Sequence, residues 1–409
     1  MRRRVAVTGM AGITALGCDW NSIEAALRAQ RSGVVAMPEW NRYADLRTRL
    51  AAPVPDFVPP PHFTRKKTRA MGRVALLAAV SAEAALREAG LLEDPVLSSG
   101  RVGVAYGSAT GATDAMLEFA HLLIDGRMDR VNGTTYLRMM SHSAAVNIGV
   151  YFGLKGRVIP TSSACTSGSQ ALGAAYETIR AGQQTVMIAG GAEALCPTEA
   201  AAFDTLGATS TANDAPGTTP RPFDVARDGL VIGEGAATLI LEDWDHARAR
   251  GAQIHAELVG YATNSDGAHL TQPSAETMAV ALELALADAA LGSAAIGYVN
   301  AHATATEAGD IAESHATRAA LGRAVPVSSP KGHLGHTLGA CGAIEAWWTV
   351  EMLKRGWFAP TLNLHDPDPR CAELDYLMDE GRALQCEYAM SNNFAFGGIN
   401  TSLIFRRVA

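Results

Sequence analysis

The chain has 409 residues, and 48 % of them are apolar, which excludes a globally disordered protein. Its length fits two or three domain-sized units. Charged residues make up only 18 %, and the net charge of −7 argues against a general nucleic-acid binder. The low charge, with 40 glycines, predicts close backbone packing and much buried interface.

The six cysteines contain no Cys-x-x-Cys pair, so we expect no disulfide framework and a reducing, cytoplasmic location. The apolar run at 5–7 ends at Thr8 and Gly9, which is too short for a signal peptide. No stretch of eighteen apolar residues occurs, so we expect no membrane span.

In the first half of the chain, apolar runs alternate with Ala-rich segments of helical spacing. The long polar loop at 207–229 interrupts them and is typical of functional loops. We predict a strand at 5–7 ended by a Gly-rich turn, helices at 22–30 and 70–90, a strand at 102–106, a helix at 112–124, a strand end at 159–163, a helix at 167–181, and strands at 186–189 and 236–241.

After Gly251 the same alternation begins again, which predicts an α/β protein throughout. We predict a strand at 254–261, a helix at 275–290, a strand end at 298–300, a helix at 310–321, a strand end at 325–328, a long helix at 336–353, a strand at 374–377, and a closing hairpin of 388–391 with 402–405.

Residues 161–181 and 328–353 share one plan, a Ser-rich strand end followed by a Gly- and Ala-rich helix. This favours two related α/β halves whose central helices approach closely. The alternative is that Ala-rich helices resemble each other by chance.

Cys165 lies where a strand ends, a turn of small residues follows, and a helix begins. The free N–H groups and dipole of a helix N-terminus favour thiolate and provide donors to an oxyanion. The other cysteines lack this context, and Cys341 is predicted inside a helix. The alternative for Cys165 is a small buried hydrophobic residue.

His302 and His336 both follow predicted strand ends, where α/β folds place their sites. Metal ligation by His333 with His336 lacks companion ligands at suitable spacing, and burial in the core is the other alternative. One cysteine with two histidines suggests acyl-enzyme chemistry, with the imidazoles as proton carriers or neutral donors to an enolate. Lys331, one of five lysines, is either a local electrostatic residue or a solvated surface residue.

Several motifs in a fixed order make the chain resemble, nearly end to end, the elongating β-ketoacyl-[acyl carrier protein] synthases of type II fatty-acid and polyketide pathways. These are the synthase I/II branch of the thiolase-like superfamily. The motifs are 163–168 around Cys165, 227–236, 300–302, Gly309-Asp310 with Glu313, 331–340, and 391–400.

The resemblance implies a thiolase-like α/β fold, with two duplicated halves forming a five-layer αβαβα sandwich. Residues 1–250 would carry the nucleophile and 251–409 the two histidines. The implied reaction is a ping-pong decarboxylative Claisen condensation that lengthens a fatty-acid or polyketide-type chain, such as an aryl polyene, by two carbons. The acyl group would reside on Cys165, and malonyl-carrier protein would give an enolate stabilised by His302 and His336.

The resemblance also implies roles for other residues and no bound cofactor or catalytic metal. Around the reaction centre, the N–H groups of Cys165 and Phe396 would form an oxyanion hole, and Lys331 and Glu313 would support the site. Substrate would meet phosphopantetheine contacts at Thr304 and Thr306, an acyl pocket at Thr110, and a gate at Phe396 near Phe394 with the loop from Asp266 to His269. Carrier protein would dock on Arg65, Lys66, Lys67 and Arg69, and a structural Na⁺ or K⁺ would bind at Asn300, Glu345, Ser391 and Asn392.

The sequence departs from the family pattern at several positions. Ala303 and Ala395 replace glycines, and Ala305 replaces a glycine or serine. Thr110 replaces a bulkier aliphatic residue, which implies a different acyl chain. Docking positions in the 207–213 loop are less basic than usual, which implies a dedicated carrier protein.

Three rival functions are weaker. A chain-length-factor-like subunit of a heterodimeric ketosynthase lacks the cysteine nucleophile, which this chain has. A nicotinamide oxidoreductase needs a Gly-x-Gly-x-x-Gly spacing, which residues 7–12 do not provide. A coenzyme-A thiolase fits the two histidines and the basic segment at 65–69 less well. We expect a homodimer, with a heterodimer of related subunits as the alternative.

Overall fold

A computed structural model describes residues 2–408, so residues 1 and 409, the outer limits of the two predicted halves, lie outside the described residues. The strands are β1 (Val5–Ile13), β2 (Val35–Ala36), β3 (Leu50–Ala52), β4 (Val102–Gly107), β5 (Val158–Thr161), β6 (Val186–Glu193), β7 (Ile232–Gly233), β8 (Gly235–Asp243), β9 (Ala256–Ser265), β10 (Ile296–Asn300), β11 (Pro326–Ser328), β12 (Trp357–Phe358), β13 (Asp375–Tyr376), β14 (Arg382–Ala383), β15 (Tyr388–Ala395) and β16 (Ile399–Arg407).

The α-helices lie between these strands, and none in the described part of the chain has the length and apolarity to span a bilayer. They are α1 (Trp20–Arg28), α2 (Arg65–Thr68), α3 (Arg73–Glu88), α4 (Thr113–Asp125), α5 (Thr135–Met139), α6 (Ser143–Tyr151), α7 (Ser167–Arg180), α8 (Pro197–Asp204), α9 (Trp244–Ala249), α10 (Ala275–Asp288), α11 (Glu307–Leu321), α12 (Lys331–Leu334) and α13 (Cys341–Arg355).

The predicted duplication appears in the strand order of the large sheet. The first half contributes β5-β4-β6-β8-β1, and the second contributes β11-β10-β15-β16-β9 in the mirrored order. In both halves the first two pairings are parallel and the next two antiparallel. The halves join through a short antiparallel pairing of β1 with β9.

The layers follow the predicted five-layer αβαβα order, which is confirmed. Helices α3 and α6 cover the outer face of the first half-sheet, while α10 and α11 belong to the outer core of the second. Helices α7 and α13 pack against each other between the half-sheets. Because α7 follows Cys165 and α13 follows His336, this central layer brings both residues to one place.

Two expectations about local structure were wrong. The chain does not turn at Gly9, because β1 continues to Ile13; a Cβ on Gly9 would overlap the carbonyl oxygen of Ala85, so glycine there permits close packing. The long helix does not begin at His336, because the chain is irregular there and α13 starts at Cys341. A backbone N–H from His336 to the carbonyl of Val231 takes the place of a helical bond.

The glycines of the central layer set how closely α7 and α13 approach. A Cβ on Gly342 would lie 2.6 Å from the backbone nitrogen of Ser169. We therefore expect Gly342→Ala to lower the free energy of unfolding by about 1–3 kcal/mol through overpacking. Gly149→Ala in α6 is the matched control, because its Cβ meets nothing within 4 Å. Denaturant unfolding checks both, and equal stability of the two variants would contradict the prediction.

Candidate functional site

Cys165 lies in a tight turn between β5 and α7. Ala164 has a φ of +49°, a conformation that L-residues rarely adopt, and α7 begins three residues later at Ser167. The Ser167 hydroxyl accepts from the N–H of Ser163 at 2.9 Å and donates to the carbonyl of Ala164 at 2.7 Å. These bonds hold the turn that projects the thiol from the start of the helix.

The Cys165 thiol is 5 % exposed and contacts His336, with 2.9 Å between Sγ and Nε2. Burial raises the pKa of Cys165 to about 12, opposed by the charge of Lys331 and by the backbone N–H groups of Phe396 and Cys165. The resting group is therefore a thiol rather than a thiolate, and its reaction needs the neighbouring imidazole as a base.

His302 lies beside His336, with ring centroids 5.0 Å apart and ring planes at 88°. Lys331 Nζ lies 3.1 Å and Asn393 Nδ2 3.3 Å from His302 Nδ1, and both atoms are donors. Nδ1 must therefore accept, which leaves the ring proton on Nε2. Burial, with the charges of Lys331 and His336, lowers the pKa of His302 well below its usual range, so the ring stays neutral.

His336 differs from His302 because nothing fixes its tautomer. Its Nδ1 is buried without a hydrogen-bond partner within residues 2–408. Burial and the charge of Lys331 lower its pKa as well. A neutral ring free to exchange tautomers can accept a proton from the Cys165 thiol or donate one to a substrate oxygen.

Lys331 is fully buried and forms an ion pair with Glu345. Burial lowers the pKa of Lys331, but Glu345, Cys341 and Glu313 together outweigh that effect and leave the pKa raised, so the ammonium keeps its charge. Glu345 also accepts from Asn393 Nδ2 at 2.6 Å, which orients that amide toward His302. The solvated-surface alternative for Lys331 does not apply.

Glu313 supports the backbone of the His302 loop and does not contact Cys165. Its carboxylate accepts from the N–H groups of His302 and Ala303 at 2.7 and 2.6 Å. Farther along the loop, Thr304 and Thr306 place their hydroxyl oxygens 3.0 Å apart. Ala305 between them has a φ of +67°, so the alanine is strained where a glycine would not be.

One cavity of about 440 Å³ joins these groups. Most of the residues assigned from the sequence to chemistry or substrate contact line it, namely Cys165, His302, His336, Glu313, Thr304, Thr306, Phe394, Phe396 and Asp266. His269 and Thr110 are not among the lining residues. A pocket that holds a thiol and two neutral imidazoles suits acyl transfer followed by stabilisation of an enolate oxygen.

Phe396 lies at the edge of the cavity, 37 % exposed, with its ring 5.2 Å from that of Phe203. The turn after it is tied to a second loop, because the Gly397 N–H donates to the carbonyl of Leu270 at 2.7 Å. The N–H of Asp266 likewise donates to Gly398 at 2.8 Å. The 396–398 turn and the 266–270 loop are therefore coupled by backbone bonds.

Thr110 contacts two buried carboxylic groups. Its hydroxyl lies 2.9 Å from Glu193 Oε1 and 2.7 Å from Glu199 Oε1. His269 lies on the surface, where its Nδ1 accepts from the N–H groups of Thr271 and Gln272, both at 3.1 Å. Neither side chain contacts the groups around Cys165.

The basic segment at 65–69 forms the short helix α2 and the residue after it. Arg65, Lys66, Lys67 and Arg69 are all exposed, and none forms an ion pair with another described residue. Lys67 only approaches the ring of Tyr151, at 5.4 Å. The segment is an unpaired positive surface.

The four residues expected around a monovalent cation lie next to Lys331. Asn300 pairs with Ser391 in the β10–β15 ladder, and Asn300 Nδ2 donates to the Ser391 hydroxyl at 3.3 Å. The side-chain oxygens of Asn300 and Asn392 are buried without a hydrogen-bond partner in the described chain. The Glu345 carboxylate is already engaged by Lys331 and Asn393.

Three residues at the site were missed from the sequence. Asn393 orients His302, Phe203 contacts the ring of Phe396, and the Cys341 thiol donates to the carbonyl of Cys165 at 3.2 Å. Cys341 is the first residue of α13 rather than an interior residue, so its predicted position inside the helix was wrong. Asn393 could have been found from the sequence, because it lies within the 391–400 motif. No sequence feature pointed to Phe203.

Comparisons with known proteins agree with this geometry. The chain matches the family models described as Beta-ketoacyl synthase, N-terminal domain, over residues 2–247, and Beta-ketoacyl synthase, C-terminal domain, over residues 255–365. It is 38 % identical over 416 residues to a 3-oxoacyl-[acyl-carrier-protein] synthase 2 of Vibrio harveyi, covering 100 % of this chain and 99 % of the relative.

Two solved structures match the whole chain. A beta-ketoacyl synthase from Burkholderia phymatum STM815 is 59 % identical with a TM-score of 0.98, covering 100 % of both chains. A ketosynthase in complex with its type II polyketide acyl-carrier protein is 32 % identical with a TM-score of 0.90, again covering 100 % of both.

Proposed function

The chain belongs to the β-ketoacyl synthase family, and we propose that Cys165, His302 and His336 carry out its decarboxylative condensation. The protein is a carbon–carbon bond-forming acyltransferase that elongates fatty-acid or polyketide-type chains. Its substrates are linked to acyl carrier protein, as in its relatives. The observation that carries the residue assignment is the convergence of one thiol and two neutral imidazoles on one cavity.

In the first half-reaction the Cys165 sulfur attacks the thioester carbonyl of an acyl-carrier protein. His336, 2.9 Å from the sulfur, takes the thiol proton and passes it to the departing phosphopantetheine thiol. The backbone N–H groups of Cys165 and Phe396 stabilise the tetrahedral oxyanion. The product is an acyl-Cys165 thioester and a free carrier protein.

In the second half-reaction malonyl-carrier protein binds with its arm against Thr304 and Thr306. Loss of CO₂ leaves an enolate whose oxygen accepts from His302 Nε2–H and from His336. Neutral donors suit this step, since they stabilise the enolate without fully protonating it. The enolate carbon attacks the acyl carbonyl, and Cys165 leaves as a thiolate as the chain gains two carbons. The thiolate then takes up one proton from solvent, which restores the resting thiol.

The proposal is tested by supplying acyl- and malonyl-carrier proteins together. We expect a 3-oxoacyl-carrier protein two carbons longer than the primer, with one CO₂ per product, measured by intact mass and by released CO₂. Malonyl-carrier protein consumed without a lengthened product, across a panel of primers, would sink the proposal. The chain-length-factor alternative is not favoured, because such a subunit lacks the nucleophile.

We assign Thr110 to an acyl pocket distinct from the cavity around Cys165, and expect Thr110→Ile to shorten the range of accepted primers. Isoleucine adds volume where threonine is small. Thr110→Val is the matched control, because it removes the hydroxyl facing Glu193 without that volume. Competition among primers of graded length checks both. An unchanged primer range in the isoleucine variant would remove Thr110 from the pocket.

We assign carrier docking to α2, because its unpaired cations suit an acidic carrier surface. Lys66→Glu with Arg69→Glu should raise KM for carrier-bound substrate by about tenfold at low salt, and less at high salt. Arg248→Glu, an exposed and unpaired arginine of α9, is the control. Activity on a short thioester without carrier should not change in the double variant. A loss of that activity as well would mean that the variant is damaged rather than impaired in carrier binding.

We infer a homodimer built on the free edge of β5, which alternates exposed and partly buried residues at one end of the sheet. Large apolar side chains are exposed along α4 to α6 and β5, which supports burial by a partner. They are Met116, Leu117, Leu123, Ile124, Met128, Tyr136, Leu137, Val150 and Val158. Within each subunit we propose that the halves divide at 250/251, between α9 and β9.

We also propose a structural Na⁺ or K⁺ beside Lys331. The unpartnered oxygens of Asn300 and Asn392, next to the Ser391 hydroxyl, are the oxygen donors that such a hard cation takes. Glu345 would contribute little charge, because Lys331 already neutralises it.

A further inference from the structure

The three reactive residues also form a set of metal ligands. One ligand atom from each of Cys165, His302 and His336 lies within 4.8 Å of the others, and all three are buried beside the cavity. Sulfur and imidazole nitrogen are the ligands of Zn²⁺, which holds them about 2.0–2.3 Å away and therefore about 3.3–3.8 Å from one another. The cavity provides an entry path and room for water as a fourth ligand.

The second ring nitrogen of His302 faces hydrogen-bond donors, whereas in a zinc site it faces an acceptor. A histidine that binds zinc normally donates its second ring N–H to a carboxylate or carbonyl. Here His302 Nδ1 faces two donors, Lys331 Nζ at 3.1 Å and Asn393 Nδ2 at 3.3 Å. Since Nδ1 accepts, the proton is on Nε2, the ring nitrogen left to join Cys165 and His336, and that nitrogen has no lone pair for a metal.

A second ligand set lies on the other side of the same histidine. His302, Cys341 and Glu345 also place ligand atoms within 4.8 Å of one another. Lys331 Nζ contacts both His302 and Glu345, so the ammonium occupies the space between them. Lys331 thus occupies the second set, which shares His302 with the first.

From this arrangement we propose that Lys331 is a positioning residue that keeps the Cys165–His302–His336 set free of thiophilic divalent cations. It acts through His302, by holding the proton on Nε2. The proposal goes beyond the condensation reaction and does not depend on its substrates. A synthase that must present a free thiol in a metal-containing cell gains from such exclusion.

The test exchanges only the hydrogen-bonding character of residue 331. In Lys331→Gln the amide nitrogen can still donate to Glu345 while the amide oxygen accepts from His302 Nδ1. Asn393 Nδ2, the more distant donor at 3.3 Å from Nδ1, stays on Glu345 at 2.6 Å, and Nε2 is free to bind metal. Lys331→Arg is the matched control, because arginine has donors only. Co²⁺ is the probe, since a cobalt–thiolate bond gives a charge-transfer absorption, and Zn²⁺ is then used to displace it.

We expect Lys331→Gln to bind Co²⁺ at least about tenfold more tightly than the wild type and Lys331→Arg, the size of effect typical for residues that orient a metal ligand. The charge-transfer band should vanish with Cys165→Ser in the glutamine background and persist with Cys341→Ala. Thermal melting checks that each variant is folded.

Three results would overturn the proposal. The first is equal Co²⁺ affinity in the wild type and the folded glutamine variant. The second is a gain of affinity in Lys331→Arg as large as in Lys331→Gln, since arginine keeps the donors. The third is a band that depends on Cys341 rather than Cys165, which would place the metal in the inner set. None of these measurements uses a carrier protein, so they are separable from a failure of the proposed condensation.

Discussion

Cys165→Ala is expected to abolish transfer of the acyl group to the protein and to lower condensation by at least about 10⁴-fold, as removal of a covalent nucleophile does in other enzymes. The reason is that no other described thiol has its setting, at the start of α7, 2.9 Å from His336 and on the cavity. Intact-mass and peptide analysis after incubation with acyl-carrier protein measures the effect.

Cys18→Ala provides the control for this variant, because Cys18 is an exposed free thiol remote from the cavity residues. It should acylate like the wild type. Acyl mass that persists in Cys165→Ala, or wild-type protein that no carrier acylates, would contradict the assignment of the nucleophile. If acyl mass persists in Cys165→Ala, Cys341 is the first alternative nucleophile to examine, because its thiol donates to the carbonyl of Cys165.

His302→Ala is expected to separate the two half-reactions. Acylation of Cys165 should continue, because His336 rather than His302 contacts the thiol. Decarboxylation of malonyl-carrier protein should fall by about 10²–10³-fold, the effect of removing one oxyanion donor. Released CO₂ and the mass of the acylated protein, followed in the same reaction, measure the two steps separately.

The separation also has a control within the site. His302→Gln keeps an N–H donor of similar reach and should recover part of the decarboxylation lost in the alanine variant. Condensation near the wild-type rate in His302→Ala would show that His302 does not stabilise the enolate. Loss of acylation in the same variant would show instead that His302 is also needed for the acylation step, which the proposal assigns to His336.

Much of the fold was predictable because its signals are local. The strands at 102–106 and 236–241 and the helices at 70–90 and 275–290 all form within a few residues of their predicted bounds. Short elements such as α5 and β7 were missed, since they are too brief for any periodicity to show. Gly9 and His336 were misread because long-range contacts, not local propensity, decide the backbone there.

The site was predictable in its members and not in its hydrogen bonds. Cys165, His302 and His336 are recognisable from their residue types at predicted strand ends, and the structure shows that all three line one cavity. Thr110 was placed by resemblance alone, and the structure shows its hydroxyl between Glu193 and Glu199 instead of on that cavity. Contacts of this kind join residues more than eighty positions apart.

The sequence by itself determined the α/β alternation and the duplicated plan, and it singled out Cys165, His302 and His336 as candidates, because these depend on residue type and short-range spacing. Only the tertiary structure decided which nitrogen of His302 carries the proton, that Lys331 is buried, and that Cys341 contacts the backbone of Cys165. Those properties depend on donors and charges that the central layer brings together from β15, α12 and α13. The direction of a hydrogen bond is set by its neighbours in space.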